Sequence, residues 1–345
     1  MENLEFIKFL ICSGSIIVPL RLLSIKYELK DTKLDVTKIN MTPDIESKNN
    51  LLDLSVFENT IFEDKINIFC NSITNNISED NLVLFYNNIN SLNIELKDFS
   101  FLNFLLKRNT KGAYSYMDNI ILLNKNIYSK VIFHELEHLS SSLFVDNVSY
   151  CGFSQAFNHC VIGSGINEGY TEVLTRRYFS EYDINESYNY LTYIIKKLEL
   201  VIGEDKMNNF YYNASLYGLV DELKNYSTLE EISSFIINTD YLCSLYKKLN
   251  NFDIKLMYNN IINSLKGIND YLTKIYIVKQ YKLLNANKVS EEEIDNNINS
   301  FINSLPVSIT LNNKKIEFYN DEDNLLYDEI YDYIKLNNLV LERKN

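Results

Sequence analysis

His134-Glu135-Leu136-Glu137-His138 is the stretch that decides how this chain reads, because it spends two of the 3 histidines on one motif. On an α-helix, residues four apart share a face, so both imidazoles can reach one metal ion. Glu135 then sits beside the open coordination position of that metal. There it can take a proton from a metal-bound water, the arrangement of zinc hydrolases. With so few histidines in 345 residues, chance placement of the pattern is a poor rival explanation. Glu137 points off the metal face and reads as a solvated charge.

The surroundings fit a mixed fold. Gly112 opens a segment, Ala113 to Leu123, that reads as strand, turn at Asp118-Asn119, and strand. The motif helix follows over roughly 127–143. Cys151-Gly152-Phe153-Ser154 and Gly163-Ser164-Gly165 mark a loop-rich passage, and a second helix runs over about 167–179. Across the start of that helix runs Gly165-Ile166-Asn167-Glu168-Gly169-Tyr170-Thr171-Glu172. A catalytic zinc site usually needs a third protein ligand, and Glu168 can supply a carboxylate. Glu172, one turn on, can accept the outer N–H of a ligating His and fix its tautomer. The bland alternative for Glu168 is a carboxylate favoured by the helix dipole, with Asn167 as cap. For His134 and His138 it is a pair on a buried helix face.

An HExxH helix followed by an NExxTE-type helix resembles the gluzincin clan of zinc metallopeptidases, which includes thermolysin-like enzymes. The resemblance covers about residues 112–180. It implies one Zn2+ held by His134, His138 and Glu168, with Glu135 as general base and Glu172 as an acidic partner of the first His. It also implies a zincin-like core in which the strand Ile120 to Leu123 is the substrate-binding edge. Phe144 stands six residues after His138, where metzincins place a third His, so that class is excluded. Twenty-nine residues separate His138 from Glu168, longer than in thermolysin-like enzymes. No His follows His159, so an oxyanion-stabilising His further on is missing. His159 itself, or a Tyr as in aminopeptidase-type gluzincins, can replace it. Tyr211, Tyr212 and Tyr217 are the candidates, with Tyr217 carried forward. Arg176-Arg177 reads as solvated surface or a salt-bridge partner.

The flanks set the organisation. Residues 1 to about 50 look β-rich or irregular, and Val56 to about Leu106 shows helical spacing for two or three helices. Beyond Asn185 the chain reads as helical to about Leu305, then as a β-hairpin through Asn312-Asn313 and a last helix over roughly 321–336. The fold class is therefore α+β, in four parts: 1–111 mixed with helices, 112–184 the motif core, 185–305 helical, and 306–345 hairpin and helix.

A net charge of −13 and a pI near 4.8 argue against nucleic acid or an anionic membrane as partner. The wealth of Asn, Ile, Lys and Tyr is that of an AT-rich bacterial genome. Cys12, Cys70, Cys151, Cys160 and Cys243 form no CxxC pair and read as reduced thiols, small buried or loop residues of a cytoplasmic protein. Phe6 to Leu23 is apolar, but Glu2 and Glu5 outweigh Lys8, the wrong charge for export, and Pro19 and Arg21 interrupt it. It reads as strand or buried helix. Two functions follow: a zinc endopeptidase acting on a peptide or protein, or a zinc-stabilised, catalytically silent interaction module. Retention of Glu135 favours the enzyme, since a purely structural site gains nothing from a base.

Overall fold

Ile66, Phe69, Cys70 and Ile73 recur every three or four positions and bury one face of helix α1 (Glu63–Asn76). The computed structural model describes residues 39–43, 52–99, 111–157, 160–184, 188–248, 257–306, 308–311 and 314–317. All of them lie in the unit Val36–Asn345. Helix α2 (Val83–Ile89) follows α1, as its apolar spacing predicts. The next segment departs from that expectation. Asn93–Lys97 forms strand β1, which runs parallel to β3 (Ile120–Asn124) with Asn93 opposite Ile120. A five-residue run is too short to display a period, and its pairing partner is distant in the chain.

Strand β2 (Gly112–Ser115) lies antiparallel on the other side of β3, giving the order β1-β3-β2. Among the described residues the central strand is therefore β3, with Ile121 and Leu123 fully buried, and β1 and β2 are the outer strands. This corrects the assignment of residues 120–123 as the edge. Asn119 fixes the sheet to α2, its side chain donating to the Asn88 carbonyl at 2.7 Å.

Helix α3 (Tyr128–Ser140) carries the HExxH motif. From Val131 to Ser140 nearly every residue is buried, the mark of a core helix rather than a surface one. Phe133 stacks on Phe179 at 4.3 Å, and Phe179 on Phe69 at 5.4 Å, tying α3 to its neighbours. The helix ends three residues before the predicted limit. Ser140 Oγ donates to the Glu137 carbonyl at 2.7 Å and Ser142 Oγ to the His138 carbonyl at 2.6 Å, meeting carbonyls the last turn leaves open.

The passage read as loops is an antiparallel meander: β4 (Ser142–Val145), β5 (Val148–Cys151), β6 (Ser154–Phe157) and β7 (Cys160–Ile162). Its strands are too short to show alternation in sequence. Asp146 and Asn147 both take positive φ, 53° and 61°, in the two-residue turn between β4 and β5. Gly152 takes φ 52° in the next turn, where a Cβ would lie 2.3 Å from Asn167 Oδ1.

Helix α4 (Ser164–Phe179) begins three residues earlier than expected. Its N-cap, Gly163, offers no side chain. Instead Asp240 accepts from the Gly163 and Gly165 amides at 2.8 and 2.7 Å and from Ser164 Oγ at 3.3 Å. The rest is helical as predicted: α5 (Asn189–Ile202), α6 (Glu204–Tyr212), α7 (Leu216–Leu223), α8 (Leu229–Lys248), which carries Asp240, α9 (Tyr258–Asn285) and α10 (Glu291–Asn303). Strands β8 (Ser308–Leu311) and β9 (Lys314–Glu317) pair as a hairpin. The fold is α+β. No helix among the described residues is long and apolar enough to cross a membrane. The Phe6 to Leu23 stretch and the last predicted helix lie outside the described residues.

Asp240→Ala leaves the first amides of α4 without their acceptor. It should lower stability by about 1–3 kcal/mol, the scale of a lost cap with charge-assisted hydrogen bonds. Urea unfolding of the purified variant checks this; an unchanged midpoint contradicts it.

Candidate metal centre

Because α3 and α4 pack together, the faces bearing His134 and His138 on one helix and Glu168 and Glu172 on the other meet. His134 Nε2 lies 3.2 Å from Glu168 Oε2, and His138 Nε2 lies 3.6 Å from the same oxygen. The ligand atoms of the three residues all fall within 4.8 Å of one another. Donors held about 2.0–2.2 Å from one tetrahedral centre stand about 3.3–3.6 Å apart. The two nitrogen–oxygen spacings, 3.2 and 3.6 Å, lie close to that figure. Two imidazole nitrogens and one carboxylate oxygen also form a donor set that suits zinc, so the residues fit a metal of that kind.

The ring orientation of His134 is set from behind. Its Nδ1 lies 3.2 Å from Glu172 Oε2, and Glu172 is buried to 1% exposure. The other oxygen of Glu172 accepts from Arg176 Nε at 2.9 Å, and Arg176 in turn donates to Asn189 Oδ1 at 2.6 Å. Arg176 is thus a salt-bridge partner, as is Arg177, whose Nη2 lies 2.8 Å from Glu199 Oε2. Burial pulls the His134 pKa down, but the hydrogen bonds to Glu168 and Glu172 outweigh it and hold the ring at about 9. For His138, burial again opposes the charge, while Cys151 and Glu168 raise the pKa well above its usual value.

Glu135 is buried, and its carboxylate lies against the outer strand β2. A Cβ at Gly112 would come within 2.6 Å of Glu135 Oε1 and 2.8 Å of Val131 Cγ1. A glycine at this place in β2 is what lets strand and carboxylate approach. Glu137 is not the solvated charge that its position suggests. It is fully buried, Tyr212 donates to its Oε2 at 3.0 Å, and its Oε1 has no hydrogen-bond partner. Helical spacing gave no warning, because α3 is covered on that side too.

Tyr211 and Tyr212 serve the underside of α3: Tyr211 OH lies 3.2 Å from the Glu137 carbonyl and 2.7 Å from Thr171 Oγ1. Tyr217 sits on α7 with its ring over the Lys224 ammonium at 5.7 Å. His159 lies outside the described residues. Two neighbours of the site, Tyr188 and Lys111, went unremarked in sequence, and a third, Cys151, was read there as a buried or loop thiol. Tyr188, at φ 53°, sets its ring 6.1 Å from that of His134. Cys151 Sγ lies 3.7 Å from His138 Nδ1. Lys111, whose pKa burial lowers, feels the Glu172 carboxylate. Only a non-glycine residue in left-handed backbone marks Tyr188, and that is invisible before the fold is known.

No family model matches the sequence, and searches of curated proteins and of solved structures likewise return no match.

The protons on His134 and His138 must leave when a cation binds, so affinity should rise with pH up to about 9, the His134 value. Titration with Zn2+ should show affinity climbing by about tenfold or more per pH unit between pH 6 and 8. Calorimetry in buffers of different ionisation enthalpy should register proton release at pH 7; none released would contradict the protonated pair.

Burial raises Glu137 from 4.5 to about 8, against the Tyr212 hydrogen bond and the charges of His134 and His138. Tyr211 and Tyr178 also face it. The folded protein thus holds a proton that the unfolded chain has lost. Stability of the metal-free protein should therefore fall as pH rises from about 4.5 to about 8. Glu137→Gln should make that fall shallower, leaving above about pH 6.5 the part due to the raised His134 and His138, read as urea midpoints at pH 5 and pH 8. An equally steep fall in the variant would assign it to another group.

Proposed function

We propose that this chain is a zinc-dependent peptidase of the gluzincin type, with 112–184 as a zincin-like core and a peptide or protein as substrate. The observation that carries the reading is the buried Glu135 carboxylate, on the same helix as two convergent histidines and against an edge strand. On this reading His134 Nε2, His138 Nε2 and Glu168 hold the metal. The bound ion supplies Lewis acidity that polarises a carbonyl and eases deprotonation of water.

This chain's own residues do the rest. Glu135 takes the proton of the attacking water on a carboxylate oxygen and returns it to the leaving amine. Glu172, held by Arg176, keeps the His134 proton on Nδ1 so that Nε2 presents its lone pair. Strand β2 is one of the two outer strands of its sheet among the described residues, the one beside Glu135, and its backbone groups suit an extended peptide added alongside. Tyr188, whose ring faces His134, joins His159 and Tyr217 as a candidate for the oxyanion-donor role. The free thiols of Cys70, Cys151, Cys160 and Cys243 support a cytoplasmic setting.

Glu135→Gln tests the reading. The amide keeps the size of the carboxylate but cannot accept the water's proton, so zinc content and unfolding midpoint should stay while peptide hydrolysis falls about 10²–10⁴-fold or more. Glu168→Ala should lose zinc itself, and Glu172→Ala should weaken zinc binding about 10- to 100-fold. Stoichiometric zinc with no cleavage across a peptide library would return the silent interaction module. Full activity in Glu135→Gln would refute the assigned base.

A further inference from the structure

His134 has a carboxylate behind it; among the described residues His138 has none there. To offer Nε2 to a metal, His138 must carry its proton on Nδ1, and that N–H needs an acceptor. Three groups surround Nδ1: Asn167 Nδ2 at 3.3 Å, Thr171 Oγ1 at 3.4 Å and Cys151 Sγ at 3.7 Å. Asn167 is removed by its other contact. Its Oδ1 accepts from the Phe153 amide at 3.0 Å, so the amide presents its NH2 to the ring, a donor facing a donor.

Thr171 is engaged elsewhere. Its Oγ1 donates to the Asn167 carbonyl at 2.8 Å and meets Tyr211 OH at 2.7 Å. At 3.4 Å the remaining contact is longer than an ordinary N–H···O bond. Sulfur is the larger atom, and 3.7 Å is a bonding separation for it.

The thiol also has a place for its own proton. Cys151 Sγ lies 3.6 Å from the His138 carbonyl, and Asn167 Nδ2 donates to the sulfur at 3.7 Å. Its backbone is pinned as well: Cys151 pairs with Ser142 across β4 and β5, and the Gly152 amide donates to the Ser141 carbonyl at 2.9 Å. The meander thereby holds the sulfur at the ring edge.

We propose that Cys151 is the positioning residue of His138, its sulfur accepting the Nδ1 proton and holding the ring with Nε2 toward Glu168. The proposal rests on the metal-centre reading. The two ligating histidines are thus oriented by different chemistry, a carboxylate for His134 and a thiol for His138.

The test compares wild type, Cys151→Ala, Cys151→Ser and Thr171→Val. The readouts are Zn2+ affinity by chelator competition, the urea midpoint, and the Nδ1–H resonance of His138 in the loaded protein. Cys151→Ala should bind Zn2+ about 10- to 100-fold more weakly, the scale for losing the partner of a ligating His. Cys151→Ser keeps a donor and an acceptor and should recover most of that loss. Thr171→Val should stay within about twofold of wild type, as expected for a group that is not the ring's partner. Wild-type affinity in Cys151→Ala, or a loss confined to Thr171→Val, overturns the proposal. Should the alanine variant fail to fold, the Nδ1–H resonance must still move between wild type and Cys151→Ser, since the acceptor atom differs; an unmoved resonance overturns it. Wild-type protein that takes up no Zn2+ removes the metal centre itself, and the proposal with it.

Discussion

The burial of charged and polar groups along α3 is the constraint around which the neighbouring elements are arranged. His134, Glu135, Glu137 and His138 all lie in or at the edge of the interior. Leaving one such group unpaired in a low-dielectric setting costs several kcal/mol. Each partner comes from a different element: α4 brings Glu172 to His134, β5 brings Cys151 to His138, and α6 brings Tyr212 to Glu137. Strand β2 thins to Gly112 where Glu135 needs room. The meander and the helices after α4 therefore act on the motif even though none of His134, His138 and Glu168 lies on them.

That arrangement could hold a cation. Two raised imidazole pKa values place positive charge beside Glu168. The same carboxylates that raise these values would be the ligand and the outer partner of a divalent ion. Proton and metal compete for one pre-formed set of atoms, so folding and metal uptake draw on the same contacts. A site assembled before the ion arrives needs little rearrangement to bind it.

How much of this was legible in sequence follows from the range of the interactions. His134, His138, Glu168 and Glu172 lie within two short motifs, and helical spacing alone put each pair on a common face. The helices after 188 announced themselves by sustained apolar periodicity. Strand β1 and the meander did not, because strands of three to five residues carry too little pattern. The reach of Asp240 to the start of α4 could not be seen either, since nothing in a sequence marks a cap supplied from another helix. Glu137 was misjudged for the same reason: its partner Tyr212 is brought to α3 by tertiary packing alone.

The helices after the motif core are therefore part of its framework. Asp240 starts α4 in register, which fixes where Glu168 and Glu172 fall on that helix. Asn189 holds Arg176, which holds Glu172, which holds His134, a chain of contacts running from the start of α5 to a ligand atom. One residue before Asn189, Tyr188 adopts a left-handed backbone with its ring against the same histidine. Such a conformation in a bulky residue carries a cost of order 1–3 kcal/mol that surrounding packing must offset. Tyr246 supplies part of that packing, edge-on to Tyr188 at 5.5 Å. Strain held beside His134, at the junction where the helical region meets the motif helix, is what a fold retains when the position of that one side chain matters more than the comfort of its backbone.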